Sequence, residues 1–281
     1  MQVALIALLL AGCNQIYDLD QTRLRDGAAP DAPPTCTSAA PVFRGEPVPV
    51  IIAGEYARSY SISLDRRIAV ANVIGGIIEG PGDSALMTRA IIEPSPPGLI
   101  GSPRLSPEGD ELFVRYAEPG GGAAVHRYAR EGNVWAYKAK LFFVMESNQP
   151  DISIPTRKEL GPRRLVVGVN TNELREYVEG PADQWTQLGA PYSPSDLDVA
   201  TIILPNISSD GLRLVFQGQQ AGSRTLLYAS RANVTERFGK ALAANPFFGN
   251  PDLYDPYLLE DCSRLYFFAI STPPGVYYVE P

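Results

Sequence analysis

Histidine and cysteine are scarce in this chain: one histidine and three cysteines in 281 residues. That is too few imidazoles and thiolates for a His/Cys metal cluster. A Ser-His-Asp hydrolase would have to act through His126, yet no Gly-x-Ser-x-Gly turn is present. His126 reads instead as a strand residue two positions before Tyr128. Positive charge is also thin. Lys and Arg total 24 against 31 Asp and Glu, the net charge is −7, and no Lys/Arg cluster occurs. A surface that tracks nucleic-acid phosphates is excluded on that ground. What the chain does have is 45% hydrophobic residues, enough for a real core, and 25 Gly and 26 Pro scattered along it. Scattered breakers imply many turns, and the length suits one large all-β domain or two ordinary ones.

The N-terminus carries an address. Residues 3–11, VALIALLLA, form an apolar run too short for a bilayer-spanning helix, which needs about 20 residues, but suited to the apolar part of a secretory signal. The run ends in Leu10-Ala11-Gly12-Cys13. This resembles the bacterial lipobox, although no Lys or Arg precedes the run. The resemblance implies that residues 1–12 are a signal peptide and that Cys13 becomes the lipidated N-terminus. Asn14 after the cysteine implies, by the same analogy, an outer-membrane address. Residues 13–41 then read as a Pro/Ala/Asp-rich tether, with an end-to-end distance of about 30 Å if flexible.

From residue 42 onward the chain repeats itself. LSPEGDELFV (105–114) returns as ISSDGLRLVF (207–216), with Ser106 and Ser208 102 positions apart. A third copy, LEDCSRLYF (259–267), lies half that distance further on, with Cys262 where Gly211 stands. Weaker copies, ISLDRRIAV (62–70) and LGPRRLVVG (160–168), fill the remaining slots. Aligned on the first strand apolar, the series is Ile68, Leu112, Leu165, Leu214 and Leu265. Tyr128, Tyr177, Tyr228 and Tyr278 keep the same beat at intervals of 49, 51 and 50. Trp135, Trp185 and Phe238 continue it. Each unit reads as four short strands: one entering at a proline, a second after an Asp-Gly-like turn, a third carrying the Tyr, and a fourth starting at the Trp or Phe. Four strands per repeat of about 50 residues describe a propeller blade, and a blade buries its two apolar faces only by stacking in a ring.

SPRLSPEGDELFVRY and LPNISSDGLRLVFQG…LLYASRANVTERFGKAL resemble the WD40-like repeats of TolB-type β-propellers. The likeness covers about 42–281, and more narrowly the layout resembles secreted bacterial lipoproteins with one such propeller. TolB carries an extra N-terminal domain that this chain lacks, so its role does not transfer. The expected fold is an all-β propeller of five four-stranded blades, with six as the alternative count. The chain ends just after its fifth Tyr-type strand. VFRGEPVPVIIAG (42–54) therefore supplies the missing outer strand of the last blade.

With Cys13 taken by lipid, Cys36 and Cys262 remain, and an exported compartment permits their oxidation. Cys36 just precedes the closing strand and Cys262 lies in the last repeat turn, so a disulfide between them would clip the ring. In the geometry implied by the resemblance, first strands line the central channel, which makes Arg104, Asn206 and Tyr257, each following a repeat proline, candidate channel-lining residues. Glu108, Asp210 and Asp261 occupy the repeat turns and read as turn formers. Asp196 and Asp198 in PSDLDVA, and Asp252 and Asp255 in NPDLYDP, are paired loop acids suited to Ca²⁺ or glycoside chemistry. No cofactor is expected beyond that. The leading expectation is a monomeric, membrane-anchored envelope propeller, not an enzyme, that binds an envelope protein, peptide or glycan. The competing expectation is a carbohydrate hydrolase or lyase using acids at the channel mouth. A structural spacer with no ligand is the third.

Overall fold

The computed structural model describes residues 36, 43–50, 52, 57–82, 84–94, 100–117, 123–141, 151–220, 222–244, 253–259, 261–270 and 273–281. Residues 1–12, Cys13 and the rest of the tether apart from Cys36, and Asp252 lie outside the described residues. Five sheets, antiparallel except for one outer strand of blade 2, form five blades. Strand β1 (Val48–Pro49) belongs to the last of them. Blade 1 holds β2 (Ser59–Ile62), β3 (Ala69–Val73), β4 (Gly76–Gly80) and β5 (Thr88–Arg89). Blade 2 has a fifth, outermost strand, β6 (Ile91–Glu93), followed by β7 (Ile100–Leu105), β8 (Glu111–Ala117), β9 (Ala123–Glu131) and β10 (Val134–Leu141). Blade 3 is β11 (Asp151–Ile152), β12 (Arg164–Val169), β13 (Glu173–Glu179) and β14 (Trp185–Gln187). Blade 4 is β15 (Thr201–Ile207), β16 (Arg213–Gln220), β17 (Ser223–Ser230) and β18 (Leu242–Ala243). Blade 5 is β19 (Leu253–Leu258), β20 (Leu265–Ala269) and β21 (Gly275–Val279), completed by β1. No α-helix occurs among the described residues.

The repeat has a clear physical basis. In the turn from first to second strand, a hydroxyl accepts the N–H that opens the second strand: Ile68 to Ser63 (3.1 Å), Glu111 to Ser106 (3.1 Å), Arg164 to Thr156 (2.8 Å) and Arg213 to Ser208 (3.0 Å). The Ser208 hydroxyl donates in turn to Asp210. Gly109 and Gly211 close their turns at φ 76° and 75°, backbone that costs glycine little. Cys262 holds the equivalent slot at φ 56°.

Side chains alternate across each strand, so every blade feeds two boundaries, and five apolar clusters fill the five boundaries. On β8, Leu112 and Val114 face blade 1, whereas Phe113 faces blade 3. On β16, Leu214 and Phe216 face blade 3 and Val215 faces blade 5. The periodic Tyr128 and Tyr228 are 0% and 2% exposed. Trp135 is wholly buried on β10, and its indole N–H donates to Glu79 of blade 1 (2.9 Å). Phe238 is buried but precedes β18 instead of opening it.

The ring closes inside blade 5. β1 runs antiparallel to β21, pairing Val48 with Tyr278 and Pro49 with Tyr277. Pro49 is tolerated because β1 is the outer edge strand. Cys36 and Cys262 are joined by a disulfide with their Cα atoms 5.0 Å apart. β6 was not expected from the repeat. Residues 88–93 pair first with β4 of blade 1 and then, in parallel, with β10 of blade 2, strapping the two blades from outside.

Candidate functional site

Four inner strands and the segment just after β11 place one residue of each blade around the axis: Ser61, Arg104, Ile154, Asn206 and Tyr257. All five are buried. They link the blades in a closed circle of hydrogen bonds. The Leu105 N–H donates to Ser61 Oγ (3.0 Å), joining blades 1 and 2. Arg104 Nε donates to the Ile152 carbonyl (3.1 Å), joining 2 and 3. The Ile154 N–H donates to Asn206 Oδ1 (3.3 Å), joining 3 and 4. Asn206 Nδ2 donates to the Pro256 carbonyl (3.3 Å), joining 4 and 5. The Tyr257 hydroxyl donates to the Ile62 carbonyl (2.7 Å), joining 5 and 1. Across this circle, Arg104 Nη2 and Asp255 form a tight ion pair, at 1% and 4% side-chain exposure. Arg104, Asn206 and Tyr257 thus lie on the innermost strands and are buried, at 1%, 1% and 5% exposure. Each points at the neighbouring blade, where buried polar groups find partners.

Two backbone irregularities aim groups at the axis. The ladders of β15 with β16 and of β19 with β20 slip between Ile203 and Asn206 and between Tyr254 and Tyr257. Within those slips, Leu204 and Asp255 take left-handed backbone, φ 50° and 54°. Aspartate tolerates that region; a leucine there is a true outlier, held by its surroundings. The Leu204 N–H donates to Asp151 Oδ2 (3.3 Å), and Arg115 Nη1 meets Asp151 Oδ1 at 3.4 Å. Arg115 lies across Gly101, where any Cβ would come within 2.6 Å of its Nε. Burial pushes the Asp151 carboxyl above the usual aspartate range, and the nearby Asp255 charge adds to the rise against Arg115 and Arg104.

A small cavity lies among β7, β8, β11 and β15. Its walls are Ser102, Arg104, Arg115, Asp151, Ile152 and Leu204, with about 10 Å³ of room for a water's centre. That is space for about one water molecule. Where the inner strands end, a similar cavity of about 10 Å³ is lined by Leu64, Pro107, Ile154, Leu258 and Leu259 together with the polar Ser209 and Tyr257.

The other candidate residues lie elsewhere. Asp196 closes a capping box on a short 3-10 turn, accepting from the Ser193 N–H (2.8 Å) and hydroxyl (3.0 Å) and pairing with Arg237 (3.2 Å). Those Ser193 bonds, with Arg237 behind them, hold its carboxyl below the ordinary range. Asp198 ends the same turn in left-handed backbone and pairs with Lys240 at 3.4 Å. Both contact blade 4's outer segment, away from the axis residues. Asp210 and Asp261 sit in repeat turns, accepting the Leu212 and Ser263 N–H groups. Glu108 accepts the Lys158 N–H of blade 3 (2.9 Å). His126 lies between the hydroxyls of Tyr116 and Tyr128 on the blade 2 face, with the Tyr137 ring 4.9 Å away. Among the described residues, no three His, Cys, Asp or Glu side chains gather as a metal set. No helix there is long and apolar enough to cross a membrane.

Sequence reasoning named Arg104, Asn206 and Tyr257 but missed Ser61, Ile154, Asp151 and Arg115. Arg104, Asn206 and Tyr257 each stand eight positions before the first apolar residue of the following strand, Leu112, Leu214 and Leu265. A 3-10 turn at Lys158–Leu160 lengthens the third copy, which hides Ile154 from that count.

These features define the class: a five-bladed β-propeller with a polar, interlocked axis. No protein-family model and no curated protein matches the chain. Its likeness is to solved structures. An α-L-arabinofuranosidase from Podospora anserina, in complex with cellotriose, superposes with TM-score 0.54 at 11% identity, over 86% of this chain and 98% of that one. A GH43 endo-arabinanase from Bacillus licheniformis gives 0.51 at 14%, over 85% and 94%. TolB from Acinetobacter baumannii gives 0.51 at 11%, over 83% of this chain but only 56% of that one. At such identities the likeness is one of fold.

Proposed function

We propose that this propeller is a non-catalytic binding and scaffolding module, held at the bacterial envelope by lipid on Cys13, that engages an envelope protein, peptide or glycan. The observation that supports this reading is the axis. Each blade is hydrogen-bonded to the next at the axis, through Ser61, Arg104, Asn206 and Tyr257 side chains and the Ile154 N–H, and Arg104 and Asp255 pair with each other. Groups fixed in that way hold the ring rigid, and a rigid ring presents its loops and faces to a partner at little ordering cost. The N-terminal lipobox-like sequence supports the address.

The test is a crosslinking pull-down from intact envelopes, run in parallel with Cys13→Ser. The expected result is a partner captured by the wild type and lost, or moved to the soluble fraction, with the variant. The enzymatic reading is tested on the same protein with a glycan-release assay. Sustained turnover abolished by Asp151→Asn, or by alanine at Asp196 and Asp198, would overturn the binding reading.

A further inference from the structure

We propose that the Cys36–Cys262 disulfide is the mechanical joint between the membrane tether and the propeller, placed so that a pull on the tether bypasses the ring-closing segment. This rests on the anchored reading, since only a tethered propeller is pulled from that end. The argument begins with chain order. The closing segment grips the ring at four places. The Phe43 N–H donates to the Ala244 carbonyl (3.1 Å) and the Gly45 N–H to the Glu280 carbonyl (3.1 Å). β1 pairs with β21, and the Val50 N–H donates to the Val276 carbonyl (2.8 Å). Cys36 stands seven positions ahead of Phe43. Tension arriving along residues 13–35 therefore meets the disulfide before it meets any of these contacts.

The two places that could take the pull differ in strength. β1 is an outer edge strand of two residues, both exposed, and it pairs with β21 at only two positions. Cys262 lies in the turn between β19 and β20, the two inner strands of blade 5. That turn is tied by the Cys262 N–H to the Leu259 carbonyl (2.9 Å) and by the Ser263 N–H to Asp261 Oδ1 (2.8 Å). All five residues of β20 are buried. Cys36 is itself 5% exposed, and its carbonyl accepts from Arg213 Nη2 of blade 4. The joint is thus seated against blades 4 and 5. A disulfide between β1 and β21 would also close the ring, but it would leave Phe43 and Gly45 to take the pull first. Position upstream of the whole closing segment is what suits this bond to a tethered chain.

Optical tweezers on the whole chain test this. One handle is joined to the Cys13 thiol, where the lipid would sit. The other is joined to a clickable, thiol-free side chain placed at the exposed Leu160 of blade 3. The oxidised protein should show no release of chain until the blades give way. After reduction of the folded protein on the instrument, a first step should appear at lower force than the blades. Its length should be that of residues 37–58, between Cys36 and β2, about 80 Å fully extended. Cys36→Ser should give the same step without reductant, and reducing the folded wild type keeps the test independent of whether that variant folds. Phe43→Ala in the reduced protein should lower the force of the first step and leave its length unchanged.

If the reduced chain gave way in a single step with the blades, β1 and Phe43 would hold the tether unaided and the proposal would fall. An early step of that length in the oxidised protein would sink it too, because the closing segment would then be in the path of the pull. The handles stand in for lipid and partner, so either failure leaves the anchored binding reading standing. A Cys13→Ser protein that stays with the membrane in the pull-down overturns the anchor, and the joint's role with it.

Discussion

Blade 4 and blade 5 are built from the same repeat and held by different means. Blade 4 is one continuous stretch of chain. Its β16 and β17 pair over eight consecutive positions, Arg213–Gln220 against Ser230–Ser223. It meets blade 3 through a buried two-pronged ion pair, with Arg231 Nη1 and Nη2 on Glu176 at 2.9 and 2.8 Å. Blade 5 is composite. Its outer strand comes from the far end of the chain and pairs with β21 at only two positions. Backbone bonds from Gly45 to Glu280 (3.1 Å) and from Val50 to Val276 (2.8 Å) extend that seam slightly. The difference shows what a ring made from one chain must solve. Where the chain is continuous, ladder and packing suffice. Where its ends meet, a short ladder is backed by a covalent bond and a buried anchor.

The bond is the Cys36–Cys262 disulfide, and breaking it is the largest available blow to the composite blade. It spans 226 positions, and for a loop of that size the chain-entropy account gives about 5 kcal/mol. Cys262→Ser should lower the denaturant midpoint by an amount approaching that figure, measured against wild type under non-reducing conditions. Reductant should destabilise wild type and leave the variant unchanged. A variant as stable as wild type would mean that β1 alone closes the ring.

The anchor is Phe43, wholly buried among Cys36, Tyr228, Leu253 and Phe267, with its N–H on the Ala244 carbonyl at 3.1 Å. Phe43→Ala should cost about 3–4 kcal/mol, within the range for emptying a buried aromatic site. Thermal unfolding of the oxidised protein measures it. Combined with Cys262→Ser, the loss should fall short of the sum, because both act on the same segment.

Blade 4 offers the contrasting test. Glu176→Ala strands Arg231, 1% exposed, without its counter-charge, which should cost about 3 kcal/mol. Arg231 keeps the Gly211 carbonyl (2.7 Å) and its stack on Phe238 (4.3 Å), so the loss should sit at the low end for a broken buried pair. Replacing Glu176 and Arg231 together by methionine should recover part of the stability, because the buried Arg231 charge is then gone and Arg164, which also pairs with Glu176 at 3.2 Å, keeps the Val234 carbonyl at 2.7 Å. Urea titration of the single and double variants decides whether this boundary needs charge or only filled volume.

How far the sequence foretold this contrast depends on which signal each part leaves. The closing strand was legible because the last copy ends at its Tyr strand and VFRGEPVPVIIAG is left over. Cys262 was legible as the non-glycine in a glycine slot. The turn hydroxyls at Ser106 and Ser208 gave the period because one physical task, accepting the N–H that opens the second strand, is repeated. The axis was legible only in part. Arg104, Asn206 and Tyr257 follow repeat prolines, but their interlocking depends on which blade each side chain faces, and no one-dimensional period carries that. Arg115 and Asp151 left no signal, since their meeting across Gly101 depends on three strands of two blades. β6 was hidden because its partner β10 comes later in the chain and runs parallel to it.

The smallest effect tests the boundary between blades 5 and 1, where the composite blade meets the start of the ring. The ion pair between Arg66 Nη2 and Asp261 there, at 3.4 Å, has side chains 40% and 26% exposed. A pair so open to water is worth at most about 1 kcal/mol. The boundary is filled instead by rings: Tyr266, 1% exposed, has ring centroids of Tyr60 at 5.1 Å, Tyr278 at 5.6 Å and Tyr257 at 6.2 Å. Arg66→Ala should therefore shift the urea midpoint only slightly, and less still at high salt, where surface charges are screened. Tyr266→Leu at the same boundary should do more, because it removes aromatic contacts worth about 0.5–1.5 kcal/mol each beyond area. If Arg66→Ala proved the more damaging, the boundary would depend on charge as blade 4's does, and the contrast between the two blades would reduce to the disulfide alone.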